Sequence, residues 1–157
     1  MRKKIAPVFI LPFLLTGLLI GTIFSNLGYA QEDLQVNPSL PPIKMHGQTE
    51  FISGGVGKDE SEAMLRAGKE WPLTLELAQV ARPRAEYISD VQVKIMDAKG
   101  NVVLDADSVG PYLLVKLPPG KYVLDATYNS VVLHRKLNLE AGSGKKISLI
   151  WPEAKQD

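Results

Sequence analysis

Residues 87–128 read YISDVQVKIMDAKGNVVLDADSVGPYLLVKLPPGKYVLDATY, and this stretch decides the fold. Short runs within it alternate apolar and polar side chains, and Gly, Pro, Asn or Asp residues separate the runs. Alternation with a period of two is typical of strands that bury one face, and the separating residues favour tight turns. The same pattern continues to Trp151. We therefore predict stacked β-hairpins.

Seven strands are predicted from the whole pattern, each with one apolar face that points to a core. Two of the turns are expected to hold glycine with a positive φ: Gly100 at residues 98–101, and Gly120 after Pro118 and Pro119. Seven such strands predict a mainly β fold, a two-layer, Ig-like β-sandwich. The predicted inward rows are Leu73, Leu75 and Leu77; Val91, Val93 and Ile95; Val102, Leu104 and Ala106; Leu113, Val115 and Leu117; Tyr122, Leu124, Ala126 and Tyr128; Leu133, Leu137 and Leu139; and Ile147, Leu149 and Trp151.

The segment before the first predicted strand is expected to contain no β-structure. Residues 31–50 are proline-rich without a helical or strand period, which predicts a flexible linker. Residues 51–72 are predicted as a Gly-rich turn and one short helix over 58–70, in which Asp59 and Glu62 form a capping box. The helix is expected to end at Trp71, because the residue before a proline disfavours helical geometry. The β-sandwich then occupies residues 73–152.

Residues 1–30 have the features of a secretory signal peptide. A basic start at residues 2–4 precedes an uncharged run, and Gly28-Tyr29-Ala30 offers small residues at a cleavage site. We expect cleavage after Ala30; an uncleaved membrane anchor is the alternative, because an apolar run of this length also spans a bilayer. In either case the remainder is expected outside the cytoplasm, in the periplasm or secreted.

Composition restricts the function classes. Without residues 1–30 the chain has 127 residues with 15 basic and 17 acidic side chains, a net charge of −2. That size is typical of one domain, and that charge gives no electrostatic reason to bind nucleic acid. The sequence contains no cysteine, which excludes disulfides, a lipid-bearing cysteine and thiolate metal sites. Stability is therefore expected to come from packing.

The order of elements in residues 87–128 resembles the carboxypeptidase regulatory-like domain, a transthyretin-like β-sandwich. The resemblance depends on the turn at residues 97–100, on Gly110-Pro111 and on the turn at residues 117–122. It covers about a third of the chain that follows the signal segment. The resemblance implies a fold rather than a reaction, since in carboxypeptidases this domain lies beside the catalytic one and is not the peptidase. The whole chain is similar to small exported bacterial proteins.

No catalytic or cofactor-binding set is predicted. Transthyretin-like enzymes, the hydroxyisourate hydrolases, resemble this chain in fold class but carry a Tyr-Arg-Gly-Ser terminus, whereas this chain ends IWPEAKQD. Its two histidines are interpreted as a surface residue, His134, and as an incidental neighbour of Met45, His46, rather than as metal ligands. Residues 54–58, GGVGK, are expected to lack the preceding strand and the glycine spacing of a phosphate-binding loop.

Several residues remain as candidates for binding. Asp105 and Asp107 project from one strand face and are a weak candidate for calcium, with a solvated outer face as the alternative. The candidate binding surface consists of Arg82 and Arg84, at a predicted hairpin tip, and of the aromatic residues Trp71, Tyr87 and Tyr112.

These features favour an exported, non-catalytic module that binds a protein or another component of the cell envelope. One alternative is a periplasmic carrier or sensor that holds a small ligand or metal between the helix and the sheet, with Trp71, Tyr87 or Tyr112 as walls. The other is a structural protein that assembles through exposed edge strands. No cofactor and no nucleic-acid partner are predicted, and membrane contact is expected only through an uncleaved N-terminal segment.

Overall fold

The computed structural model describes residues 40–153, which form ten strands and one helix. The mainly β class is confirmed, and all seven predicted strands are present, as β3 and β5–β10. The predicted signal segment, its cleavage site at Ala30 and residues 31–39 of the predicted linker lie outside the described residues. The strands are β1 Lys44–His46, β2 Thr49–Gly54, β3 Leu73–Gln79, β4 Glu86–Tyr87, β5 Gln92–Asp97, β6 Val102–Asp107, β7 Tyr112–Val115, β8 Gly120–Tyr128, β9 Val131–Leu139 and β10 Lys145–Trp151, and the helix is α1 Lys58–Ala67.

Two sheets form the sandwich. The six-stranded sheet has the order β1-β2-β7-β3-β10, with the short β4 paired to the end of β3. The four-stranded sheet has the order β6-β5-β8-β9. Strand β10 runs parallel to β3, and the other pairs are antiparallel. The described residues belong to one compact unit.

The main core lies between the two sheets. Side chains from the predicted inward rows fill it, including Leu75, Ile95, Leu124 and Leu149, each fully buried. Trp151 closes one side of the core, where its Nε1 donates a hydrogen bond to the carbonyl of Val131 at 2.9 Å. Alternating strands bury one face each, so the period-two pattern predicted these faces correctly.

One predicted inward residue is wrong. Val102 is 47% exposed, whereas Val103 packs against the core. The cause is a register shift in the pairing of β5 with β6, between Ile95 and Met96. A β-bulge of this kind adds a residue to one strand and moves the following side chains to the opposite face.

The prediction that residues 31–72 hold no β-structure is also wrong. Strand β2 lies inside the six-stranded sheet, where it pairs with β1 on one side and β7 on the other. Phe51 points to the main core, and Ile52 packs under the helix. Because both faces of β2 are covered, its sequence lacks the alternation that marks a strand with one wet face. Residues 44–46 and 49–54 are therefore strands rather than linker and turn.

Helix α1 is shorter than predicted, and the expected capping box is absent. Gly57, with φ of 82°, occupies the N-cap, and no side chain caps the helix. Glu60 reaches back instead, and its Oε1 accepts hydrogen bonds from the backbone N–H of Gly55 at 2.6 Å and of Val56 at 3.2 Å. The helix ends at Gly68, where a Cβ would lie 2.7 Å from Thr74 Oγ1, so that the close approach to β3 favours glycine.

The same contacts decide whether residues 54–58 hold a phosphate. A strand does precede this loop, contrary to expectation, because Gly54 ends β2. The N–H groups that would face an anion are already bonded to the carboxylate of Glu60. A phosphate would have to displace that carboxylate, so the loop is organised around an internal anion.

Of the two glycines predicted to have a positive φ, one is confirmed and the other is wrong. Gly100 has a φ of 84°, as the hairpin turn requires. Gly120 does not have a positive φ; it begins β8 and pairs with Leu139. Pro118 and Pro119 make the approach to β8 extended, and no left-handed residue is needed there.

Candidate binding surface

The helix covers only one half of the outer face of the six-stranded sheet. A second apolar cluster lies beneath it, formed by Ile52, Met64, Tyr112 and Leu114. These residues are at most 1% exposed, so they fill the space between α1 and the sheet. The small-ligand site predicted between helix and sheet is therefore occupied by the protein's own side chains.

The other half of this face has no helix over it. We call it the open face and define it by Glu76 and Ala78 of β3, Tyr87 of β4, and Lys146, Ser148 and Ile150 of β10. Register places Ile150, Ala78 and Tyr87 in one row across three strands, and Ser148, Glu76 and Tyr112 in the next. Tyr87 is 61% exposed and Ile150 is 48% exposed. The open face thus has an apolar row beside a polar one.

Glu76 is the centre of the polar row. Its Oε1 accepts a hydrogen bond from Tyr87 Oη at 3.1 Å, and its Oε2 accepts one from Ser148 Oγ at 2.7 Å. Lys146 Nζ lies 3.1 Å from the same Oε2. Burial alone would raise the pKa of Glu76, but the bonds from Ser148, Lys146 and Tyr87 favour the carboxylate and together lower it. Glu76 therefore remains ionised at neutral pH and joins three strands.

Tyr87 is held in place although most of it is exposed. Its ring packs on that of Tyr112, with the centroids 5.6 Å apart and the planes at 51°. Tyr112 is 1% exposed, and burial raises the pKa of its hydroxyl far above the ordinary value. A buried ring on one side and the bond to Glu76 on the other restrict the rotamers of Tyr87. Tyr112 supports this residue and offers little surface of its own.

Arg82 and Arg84 lie in the exposed loop between β3 and β4, beside the open face. Neither guanidinium has a carboxylate within 4.0 Å in the part of the chain that the structure describes. Val80, at the start of this loop, is exposed and donates its N–H to the carbonyl of Trp151 at 2.8 Å. Two exposed arginines therefore lie in the loop that joins two strands of the open face.

Trp71 is the one predicted surface aromatic that lies elsewhere. It precedes β3, whereas Arg82, Arg84 and Tyr87 follow the end of β3. Trp71 packs against the cluster under the helix and lines a depression of about 290 Å³ with residues 140–144. The structure thus brings four of the five predicted residues to the open face or its support, and separates Trp71 from them.

Sequence reasoning missed Lys146, Ser148 and Ile150 as part of this surface. These residues reach Glu76 and Ala78 only through the parallel pairing of β10 with β3. That pairing joins strands about 70 residues apart and leaves no local signal. An exposed Ile150 within an otherwise alternating strand was the one available indication.

The weak calcium candidates are placed on the outer face of the four-stranded sheet. Register aligns Asp105, Lys94, Asp125 and His134 in one row across four strands. Lys94 Nζ lies 3.4 Å from Asp105 Oδ2, and His134 Nδ1 is hydrogen-bonded to the carboxylate of Asp125. Asp107 lies one row further along the sheet and is exposed. Within residues 40–153, no three His, Cys, Asp or Glu side chains converge as metal ligands.

Comparisons with known proteins found no protein-family model and no curated protein that matches this chain. In the stretch from residue 40 to residue 153, no helix has the length and apolar character needed to cross a membrane.

Proposed function

We propose that this chain is an exported, non-catalytic module that binds a protein of the cell envelope through the open face. The observation that carries the proposal is Tyr87, a largely exposed aromatic side chain that Glu76 and Tyr112 hold in one orientation. Large apolar patches on a protein surface usually mark interaction sites. Tyr and Arg are also the residue types most enriched among those that dominate binding energy.

Rigidity supports a binding role for Tyr87. Ordering a flexible side chain at an interface costs about 0.5–1.5 kcal/mol of binding free energy. Tyr87 is already ordered by a hydrogen bond and a ring contact, so a partner meets a prearranged aromatic surface. The adjacent Arg82 and Arg84 favour a partner that presents acidic groups near an apolar contact.

Export and family membership are part of the same proposal. The basic start and apolar run of residues 1–30 support delivery across a membrane. The resemblance to the carboxypeptidase regulatory-like domain supports an accessory role, because that domain accompanies enzymes without itself being catalytic. Both imply that the partner is a periplasmic or envelope protein.

Site-specific crosslinking in cells tests the proposal. A photoreactive phenylalanine analogue replaces Tyr87 in the tagged full-length chain, and the matched control carries it at Val132, which is exposed on the four-stranded sheet. We expect one envelope protein to be captured from position 87 and not from position 132. Capture is expected to fall several-fold when Arg82 and Arg84 are both changed to glutamine. Bait peptides that begin at Gln31 would confirm cleavage after Ala30.

Other outcomes of this experiment have definite meanings. Equal capture from both positions contradicts a specific role for the open face. Capture of a second copy of the chain favours the assembly alternative. A bait recovered alone from both positions rejects the proposal.

A further inference from the structure

We propose that the chain has a second site, which binds a small organic anion with an apolar body. The site is an open groove of about 360 Å³ where the four-stranded sheet meets the start of β10. We call it the lysine groove; the residues that matter are Lys121, Lys136 and Lys145 on its rim, and Ala98, Val123 and Asn138. Its volume lies at the lower end of the range of about 300–1,000 Å³ that is typical of ligand pockets.

Strand register creates this groove. Val123 lies opposite Lys136, and Lys121 lies opposite Asn138, so one apolar and three polar side chains share the outer face of β8 and β9. Lys145 belongs to the other sheet and reaches across, with its Nζ donating to the carbonyl of Asn138 at 3.2 Å. Three ammonium groups from three strands therefore surround one depression.

The three ammonium groups are not neutralised by the protein. Within the described residues, none of them lies within 4.0 Å of a carboxylate. The neighbouring carboxylates have other partners. Asp97 accepts hydrogen bonds from the N–H of Lys99 at 2.8 Å and of Asn101 at 2.9 Å, and Asp125 is bonded to His134. The groove thus has three ammonium groups beside the adjacent carboxylate of Asp97, on a chain of nearly neutral net charge.

The apolar lining selects among anions. Ala98 and Val123 lie in the groove between the lysines, and lysine stems add apolar walls while their charged ends stay in water. A small inorganic anion would leave this apolar area wet, whereas an aromatic or short aliphatic acid would cover it. The chemistry therefore fits a compact amphiphile with one carboxylate, sulfonate or phosphate group.

Fluorescent probes test this inference on the full chain purified from cells. The probe is 8-anilinonaphthalene-1-sulfonate, and N-phenyl-1-naphthylamine serves as the uncharged comparison. The groove variant combines Lys121→Gln, Lys136→Gln and Lys145→Gln. The control variant, of equal net charge, combines Lys44→Gln, Lys58→Gln and Lys69→Gln.

We expect the groove variant to weaken binding of the anionic probe about tenfold, since three exposed charges each contribute a modest amount. The control variant is expected to change the affinity for the anionic probe less than about twofold. Tyr87→Ala is expected to have an equally small effect, which would show that this site is separate from the open face. Amide NMR signals of Ala98, Val123 and Asn138 are expected to shift on titration. The rim residues are exposed, so the variants are expected to keep the thermal midpoint of the parent.

Three results would overturn the inference: no binding of the anionic probe by the parent, equal loss in the groove and control variants, or shifts confined to residues outside the groove. Equal affinity for the charged and uncharged probes would also reject it, because the lysines would then contribute nothing. A failure here leaves the crosslinking result at Tyr87 unaffected.

Discussion

Replacement of Glu76 by glutamine tests whether the carboxylate joins the strands of the open face. The substitution keeps the size of the side chain but removes its negative charge. That charge pairs with Lys146 at 3.1 Å and accepts hydrogen bonds from Ser148 and Tyr87. Bonds to a charged group contribute about 1.5–3 kcal/mol each when buried, and far less when exposed. Glu76 is 16% exposed and Lys146 is 50% exposed. We therefore expect Glu76→Gln to reduce the free energy of unfolding at pH 7 by about 1–2 kcal/mol.

The pH dependence of that loss gives the sharper test. The pKa of Glu76 in the folded protein is lowered from 4.5. A lowered pKa means that the carboxylate stabilises the fold above the pKa of the unfolded chain, and that this contribution is lost as the pH falls through the folded pKa. Once Glu76 is protonated, the parent resembles the glutamine variant. The difference between the two proteins is therefore expected to shrink toward zero in acid.

Urea denaturation from pH 7 down to the lowest pH at which both proteins fold measures this difference. Other carboxylates titrate in both proteins and cancel in the comparison. Glu50→Gln is the matched control, because Glu50 pairs with Lys116 at 3.0 Å in a more exposed position. It is expected to cost no more than about 0.5 kcal/mol at pH 7. A loss for Glu76→Gln that stays constant with pH, or equals that of the control, would refute the assigned role.

Two further pairs of variants test the core and the glycine positions by thermal and urea denaturation. Leu124→Ala is expected to cost about 2–5 kcal/mol, because Leu124 is fully buried, whereas Asp125→Ala on the opposite face is expected to cost less than about 1 kcal/mol. Similar losses would show that the faces of β8 are not distinct. Gly55→Ala is expected to destabilise more than Gly100→Ala, although both residues have a positive φ, because only at Gly55 would a Cβ collide with the ring of Tyr112. We expect about 1–2 kcal/mol of backbone strain at each position and about 1–3 kcal/mol more at Gly55. Equal losses would mean that Tyr112 moves aside freely.

Local patterns predicted most of the fold. The four-stranded sheet consists of the hairpins β5–β6 and β8–β9, and each strand has one covered and one wet face, so alternation and turn residues identified them. Val102 was assigned to the wrong face, since a bulge moves side chains without changing the pattern before it. Strand β2 was missed for the opposite reason: with both faces covered it has no alternation to detect.

The arrangement of residues on the open face could not be predicted from the sequence, for a different physical reason. Tyr87 was identified as a surface candidate by its residue type, and the two arginines by their residue type and their place at a predicted hairpin tip. Their position relative to Glu76, Ser148 and Lys146 depends on the pairing of β10 with β3. These strands are far apart in the sequence, so local patterns do not predict that they pair. Glu76 itself gave no signal beyond a polar position in an alternating strand.

The size of the helix explains why half of the six-stranded sheet remains open. An α-helix with its side chains is about 10–12 Å wide, and strands are about 4.8 Å apart, so one helix covers about two strands. Helix α1 lies over β2 and β7, and its C-terminal end reaches β3 only at Thr74, so β10 and the rest of β3 stay uncovered.

An uncovered sheet is expected to place polar side chains toward water, and Glu76, Ser148 and Lys146 meet that requirement. Tyr87 and Ile150 do not, although they lie on the same surface at the ends of a single row. The two residues flank the small side chain of Ala78, and contacts with Glu76 and Tyr112 restrain Tyr87. A partner that covers this row would remove both apolar side chains from water, which is the physical basis of the proposal that the open face binds a protein.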